Sequence, residues 1–94
     1  MQKDRAKLIK QRDSLIKQIN EAMPKAMADT TARYYNDDST GIWLRGSEDY
    51  NEDGSRIFNY YDMEQMLHPT IQSIIDKVDW YAEPYDSGTC MLWH

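Results

Sequence analysis

Between residues 3 and 22 the apolar positions recur with a helical period. Leu8, Leu15 and Ala22 repeat every seven residues, as do Ile9, Ile16 and Met23, and lysine, arginine and aspartate fill most positions around them. One apolar stripe on one face predicts an α-helix over 3–22. Two to three heptads make a marginal free coiled coil, which favours docking within the same domain. A homodimer through this helix is the alternative. Pro24 removes a hydrogen bond and clashes with the carbonyl of Asn20, so the helix ends near Ala22. "KAMADTTARYY" (25–35) allows a second helical stretch, with Met27, Thr31 and Tyr34 on one side.

After the turn cluster "NDDSTG" (36–41) the period changes. "IWLRG" and "RIFNYY" are aromatic and β-branched and predict two strands, joined by a polar segment ending in the hairpin signal Asp53-Gly54. Ile42 and Leu44 share one face of the first. In "DMEQMLHPTIQSIIDKV", Asp62 and Gln65 resemble a capping pair. Proline suits the first helical position, so the main helix is expected at Pro69 to Val78, with His68 at its start and Ile71, Ile74, Ile75 and Val78 inward. "WYAEPY" and "TCMLW" predict a last hairpin across Asp86-Ser87-Gly88. Pro84 cannot donate to a ladder and marks an edge or a bulge. Both faces of this hairpin carry large rings, so one of them is a candidate contact surface. His94, the last residue, is expected to be mobile.

These elements define an α+β fold: a long N-terminal helix, a β-hairpin, a second helix and a C-terminal β-hairpin, forming one antiparallel sheet packed by helices. Ninety-four residues make one domain, 1–94, with a thin core. A single cysteine, Cys90, excludes an intrachain disulfide and fits a reducing compartment. No apolar run is long enough to span a bilayer, and the charged start "MQKDRAKLIKQ" has no apolar signal core, so a cytoplasmic protein is expected. The net charge of −5 is unevenly distributed. Residues 1–33 carry eight Lys/Arg against four acids, and residues 34–94 carry three against twelve. That polarity steers the acidic part toward a basic partner or favours self-association.

"DYNEDG" matches the first half of a calcium loop, with Asp49, Asn51 and Asp53 as oxygen ligands and Gly54 at the turn. The twelfth position, where a bidentate glutamate is needed, is Tyr60, so no bound metal is expected. Glu48, Asp49, Glu52 and Asp53 form an acidic run able to imitate phosphates before an Arg/Lys groove. Direct nucleic-acid binding is disfavoured by a sequence pI near 4.8. Two histidines, no nucleophile elbow and no glycine-rich phosphate loop argue against an enzyme, and no cofactor is called for.

The stretch "HPTIQSIIDKVDWYAEPYDSGTCMLW" (68–93) resembles the C-terminal pattern of small bacteriophage-type proteins. It departs from that pattern at Pro84, where a tryptophan is usual. The resemblance covers roughly the last third of the chain and implies no chemistry. It does imply a phage or prophage origin, and with it the host cytoplasm and the role of a small acidic inhibitor of host defence. The expected function is therefore a non-catalytic interaction protein that docks on a basic surface of a host nucleic-acid-handling complex through Glu48, Asp49, Glu52, Asp53, Tyr50 and Trp43. The alternative is a small-molecule or nucleotide-binding module that stacks a ring on Tyr81, Tyr85 and Trp93.

Overall fold

The computed structural model describes residues 5–45, 56–59, 66–86 and 88–94. The acidic run, the calcium-like motif, the Asp53-Gly54 turn and the Asp62/Gln65 pair lie outside them. The long helix, α1, spans Arg5–Ala22. It stops two residues before Pro24, as proline geometry requires. Leu15 and Ile19 are buried on its inner face and Met23 just beyond its end, whereas Ala22 is exposed. The stripe is thus spent inside the domain along its C-terminal half.

The chain from 24 to 35 is three short pieces, not one helix. A 3-10 turn, Pro24–Ala26, ends at Met27 in the left-handed region (φ 46°). Strand β1 follows at Asp29–Thr30 and helix α2 at Thr31–Tyr35. Local side chains explain the break. The Asn20 amide donates to the Ala28 carbonyl (3.0 Å), and the Ala28 N–H donates back to Asn20 Oδ1 (2.8 Å). This clamp holds an extended backbone against α1. The Thr30 hydroxyl then caps α2 by accepting from the Arg33 N–H.

Strand β2 spans Ile42–Arg45, helix α3 Pro69–Asp76, strand β3 Tyr81–Asp86 and strand β4 Thr89–Trp93. The sheet is antiparallel, in the order β1-β2-β4-β3. The C-terminal hairpin forms as expected, with a register shift between Pro84 and Asp86. The neighbours of β2 are β1 and β4, not residues 56–59, the described part of the expected second strand. Of that stretch, Phe58 makes an isolated antiparallel bridge to Leu67 and lies in the core. Beside β4, Ile42 and Leu44 stand opposite Leu92 and Cys90 and share their buried face.

At the start of α3, the His68 ring accepts the Thr70 N–H at Nδ1 (3.1 Å), with Pro69 in the first turn. Ile71 and Ile75 are buried, and Ile74 and Val78 pack at the margin. Trp80, expected within a strand, stands just before β3, buried, with its indole N–H donated to Gln11 Oε1 (2.7 Å). His94 is not a loose end: its ring bonds the Thr40 hydroxyl and meets the Trp80 ring edge-on at 5.2 Å.

Strand alternation gives the sheet two unlike faces. Ile42, Leu44, Cys90 and Leu92 face inward and form one cluster with Leu15 and Ile19 of α1 and Ile71 and Ile75 of α3. The register sets Asp29, Trp43, Met91 and Glu83 in a row on the other face, with Trp93 opposite Tyr81 beside it. No helix among the described residues is long and apolar enough to cross a membrane.

Candidate functional site

The outer face of the sheet carries an aromatic platform. Tyr34, on α2, lies nearly parallel to Trp43 of β2, with ring centroids 5.3 Å apart and planes at 24°. Tyr35 and Tyr85 stand against Tyr34 at 81° and 80°, with centroids at 5.0 and 5.6 Å. Tyr34 therefore links β2 to β3 across β4, which runs between them. Met91 of β4 is buried but lies outside the inner cluster, which places it beneath this cover.

Buried Thr31 fixes α2 over the sheet. Its N–H donates to the Gly41 carbonyl (3.1 Å), while its hydroxyl accepts the Gly41 N–H (3.0 Å) and bonds the Ser39 hydroxyl (2.7 Å). Asn36, in the left-handed region (φ 55°), closes the helix. Gly41 is required for a further reason. A Cβ there would stand 2.5 Å from the Trp93 ring and 2.9 Å from the Leu92 carbonyl oxygen. Trp93 packs over the glycine and is therefore only partly open to solvent.

The electrostatics of the platform are graded. On the β1–β2 side, Arg33 pairs with Asp29 at 3.2 Å and the Arg45 guanidinium approaches the Met27 sulfur at 3.8 Å. On the β3 side stand Glu83 and Asp86, and Asp37 follows α2. Among the described residues no ion pair neutralises these three. A hydrogen bond donated to Tyr85, then burial, push the Tyr34 hydroxyl up to about 12, and the charge of Asp86 adds to this. The Tyr35 hydroxyl is raised by burial first, then by Tyr85, Glu83 and Asp37. The acids are secondary contributors at both tyrosines.

One atom is left over. The indole Nε1 of Trp43 is buried with no hydrogen-bond partner among the described residues. Beside this ring, Asp29, Thr30, Arg33 and Tyr34 line a mostly apolar hollow of about 170 Å³. An orphaned buried donor costs on the order of 1–3 kcal/mol.

Of the residues singled out from the sequence, the structure brings Trp43, Tyr81, Tyr85 and Trp93 onto this one face, although they came from two competing readings. Glu48, Asp49, Tyr50, Asn51, Glu52 and Asp53 lie outside the described residues. Tyr34 and Tyr35 were missed as site residues. Their signal was "RYYNDD", two adjacent rings running into a turn. Cys90 is buried, and burial pushes its thiol up to about 12, against a backbone hydrogen bond with Glu83 that lowers it. That thiol is a core atom, not a nucleophile. Among the described residues no group of three His, Cys, Asp or Glu is placed to hold a metal ion.

Comparison with protein-family models, with curated proteins and with solved structures finds no match.

Proposed function

We propose that this chain is a non-catalytic interaction protein that docks the aromatic, acid-edged face of its sheet on a basic surface of a partner protein. One observation carries the reading. Four of the five large apolar or aromatic side chains exposed among the described residues belong to this face: Tyr34 and Tyr35 at 42% and Tyr81 and Tyr85 at 52%. The fifth, Met27, touches Arg45 at its margin. Tyrosine is enriched at interface centres because it offers a large rigid area at low entropic cost. Folding alone does not require four exposed rings on one side of a small domain, since the core already lies on the other.

The charge selects the partner. Glu83, Asp86 and Asp37 repel phosphate, which disfavours nucleic acid itself and favours a protein that binds nucleic acid. Glu48, Asp49, Glu52 and Asp53, in the segment that follows β2, extend the acidic character. The setting we propose, host defence machinery in the host cytoplasm, rests on the sequence resemblance of residues 68–93 alone. The small-molecule reading draws less support, because the hollow beside Trp43, about 170 Å³, falls below the ~300–1,000 Å³ of ordinary ligand pockets.

The test is affinity capture from bacterial lysate, run in parallel with the wild type and with Glu48, Asp49, Glu52 and Asp53 changed together to Lys. The expected result is a nucleic-acid-handling protein retained by the wild type, released by salt and lost by the reversed variant, since charge supplies much of the on-rate. Equal retention by both proteins at low and high salt contradicts the reading.

A further inference from the structure

The acids of this face are not spread evenly around its rings. On the β1–β2 side Arg33 pairs with Asp29, whereas Glu83 and Asp86 on β3 make no ion pair among the described residues. One strand, β4, separates the two sides, because β3 pairs with β4 and β4 with β2. The uncompensated side is also the one where Tyr85 stands upright against Tyr34, half exposed.

We infer that the β3 side of the platform, formed by Tyr34, Tyr35, Tyr85, Glu83 and Asp86, is a recognition site for an arginine side chain of the partner; this rests on the docking reading of the same face. Aromatic ring faces carry negative electrostatic potential and attract a cation. A guanidinium is planar and weakly hydrated, so it stacks on a ring while its in-plane N–H groups reach carboxylates. An ammonium loses more hydration and cannot stack. Rings and acids occur here together, at centroid spacings of 5.0 and 5.6 Å and with Glu83 in register with Met91 beneath the cover. Arg33 does not fill the site, since its guanidinium is held by Asp29 on the opposite side of the platform.

The test uses the full chain, isotope-labelled, titrated with the capped peptide Gly-Arg-Gly-Arg-Gly and its lysine and citrulline counterparts. Chemical-shift changes are expected at Tyr34, Tyr35 and Glu83 to Asp86. The arginine peptide should bind about threefold to fivefold more tightly than the lysine peptide, a typical exposed cation–π increment, and the citrulline peptide should not bind. Glu83→Gln and Tyr85→Leu should each weaken binding by a similar factor, and Tyr85→Phe, which keeps the ring, should not. Equal affinity for arginine and lysine on this face overturns the arginine assignment while leaving the docking reading intact. Shifts elsewhere, or no binding, also overturn it, and the docking reading then stands or falls on the lysate capture alone.

Discussion

The two faces of one four-stranded sheet are built from neighbouring residues and do different work. On the inner face, Ile42, Leu44, Cys90 and Leu92 are covered by α1 and α3 and make a dry core. On the outer face, Trp43 and Met91 alternate with them along the same strands, yet their cover is a five-residue helix that carries two tyrosines. Inside, the side chains that α1 and α3 place in the cluster, Leu15, Ile19, Ile71 and Ile75, are aliphatic with no polar atoms. Outside, each tyrosine presents a hydroxyl and keeps close to half of its surface in solvent. A sheet face packed only for stability resembles the first. The second has the aromatic composition that interface cores are enriched in.

The sharpest way to break this contrast is to charge each face in turn. Ile19 is fully buried in the inner cluster, and Ile19→Asp should cost about 3–5 kcal/mol and abolish a cooperative thermal transition. Tyr85→Asp on the outer face should leave that transition in place. A melting curve of each variant decides the point.

Next comes the seam between the faces. Gly41→Ala forces a methyl group into the Trp93 ring and toward the Leu92 carbonyl. Urea unfolding should show a loss of about 1–3 kcal/mol, as for overpacking elsewhere. Gly41→Ala combined with Trp93→Leu should recover part of that loss, because the ring is the nearest obstacle.

Alkaline pH separates the faces chemically. The Cys90 thiol rises from an ordinary 9.0 to about 12, chiefly through burial, and the Tyr34 hydroxyl from 10.0 to about 12, chiefly through its hydrogen bond to Tyr85. Both folded values are raised, so the protonated forms are favoured in the native state. Their contribution is complete below the ordinary values and is lost as pH climbs through them toward 12. Stability should therefore hold to about pH 9 and then decline. Cys90→Ala should remove the inner part of that decline and Tyr34→Phe the outer part, read as melting temperature against pH.

The smallest effect concerns the orphaned indole. Trp43→Phe keeps the stacked ring under Tyr34 and deletes the buried Nε1–H. Loss of packing and relief of the unpaired donor oppose each other, so unfolding should shift by less than about 1 kcal/mol.

Much of the inner face was legible in the sequence. The seven-residue spacing in α1, the Ile71/Ile75 pair and the alternating "TCMLW" are period signals, and burial acts on period. The outer face was legible only in fragments. Trp43, Tyr81, Tyr85 and Trp93 drew notice as rings, but no local pattern says that β2 pairs with β4 and not with residues 56–59. Helix α2 and β1 are too short for periodicity to register. They exist because the Asn20 side chain clamps Ala28 and Thr31 ties the chain to Gly41, contacts that span eight and ten residues. Tyr34 reaches the platform only through them.

The most direct measurement of the contact-face claim pairs stability with binding in one variant. Tyr35→Ser, Tyr81→Ser and Tyr85→Ser together remove exposed rings from the outer face and touch nothing in the inner cluster. The melting temperature should stay within about 10 °C of the wild type and the transition stay cooperative, since surface substitutions rarely exceed about 0.5 kcal/mol each. Retention of the partner that the wild type captures should fall to background. Full retention by a folded triple variant, or collapse of the fold itself, would contradict the assignment of this face to recognition.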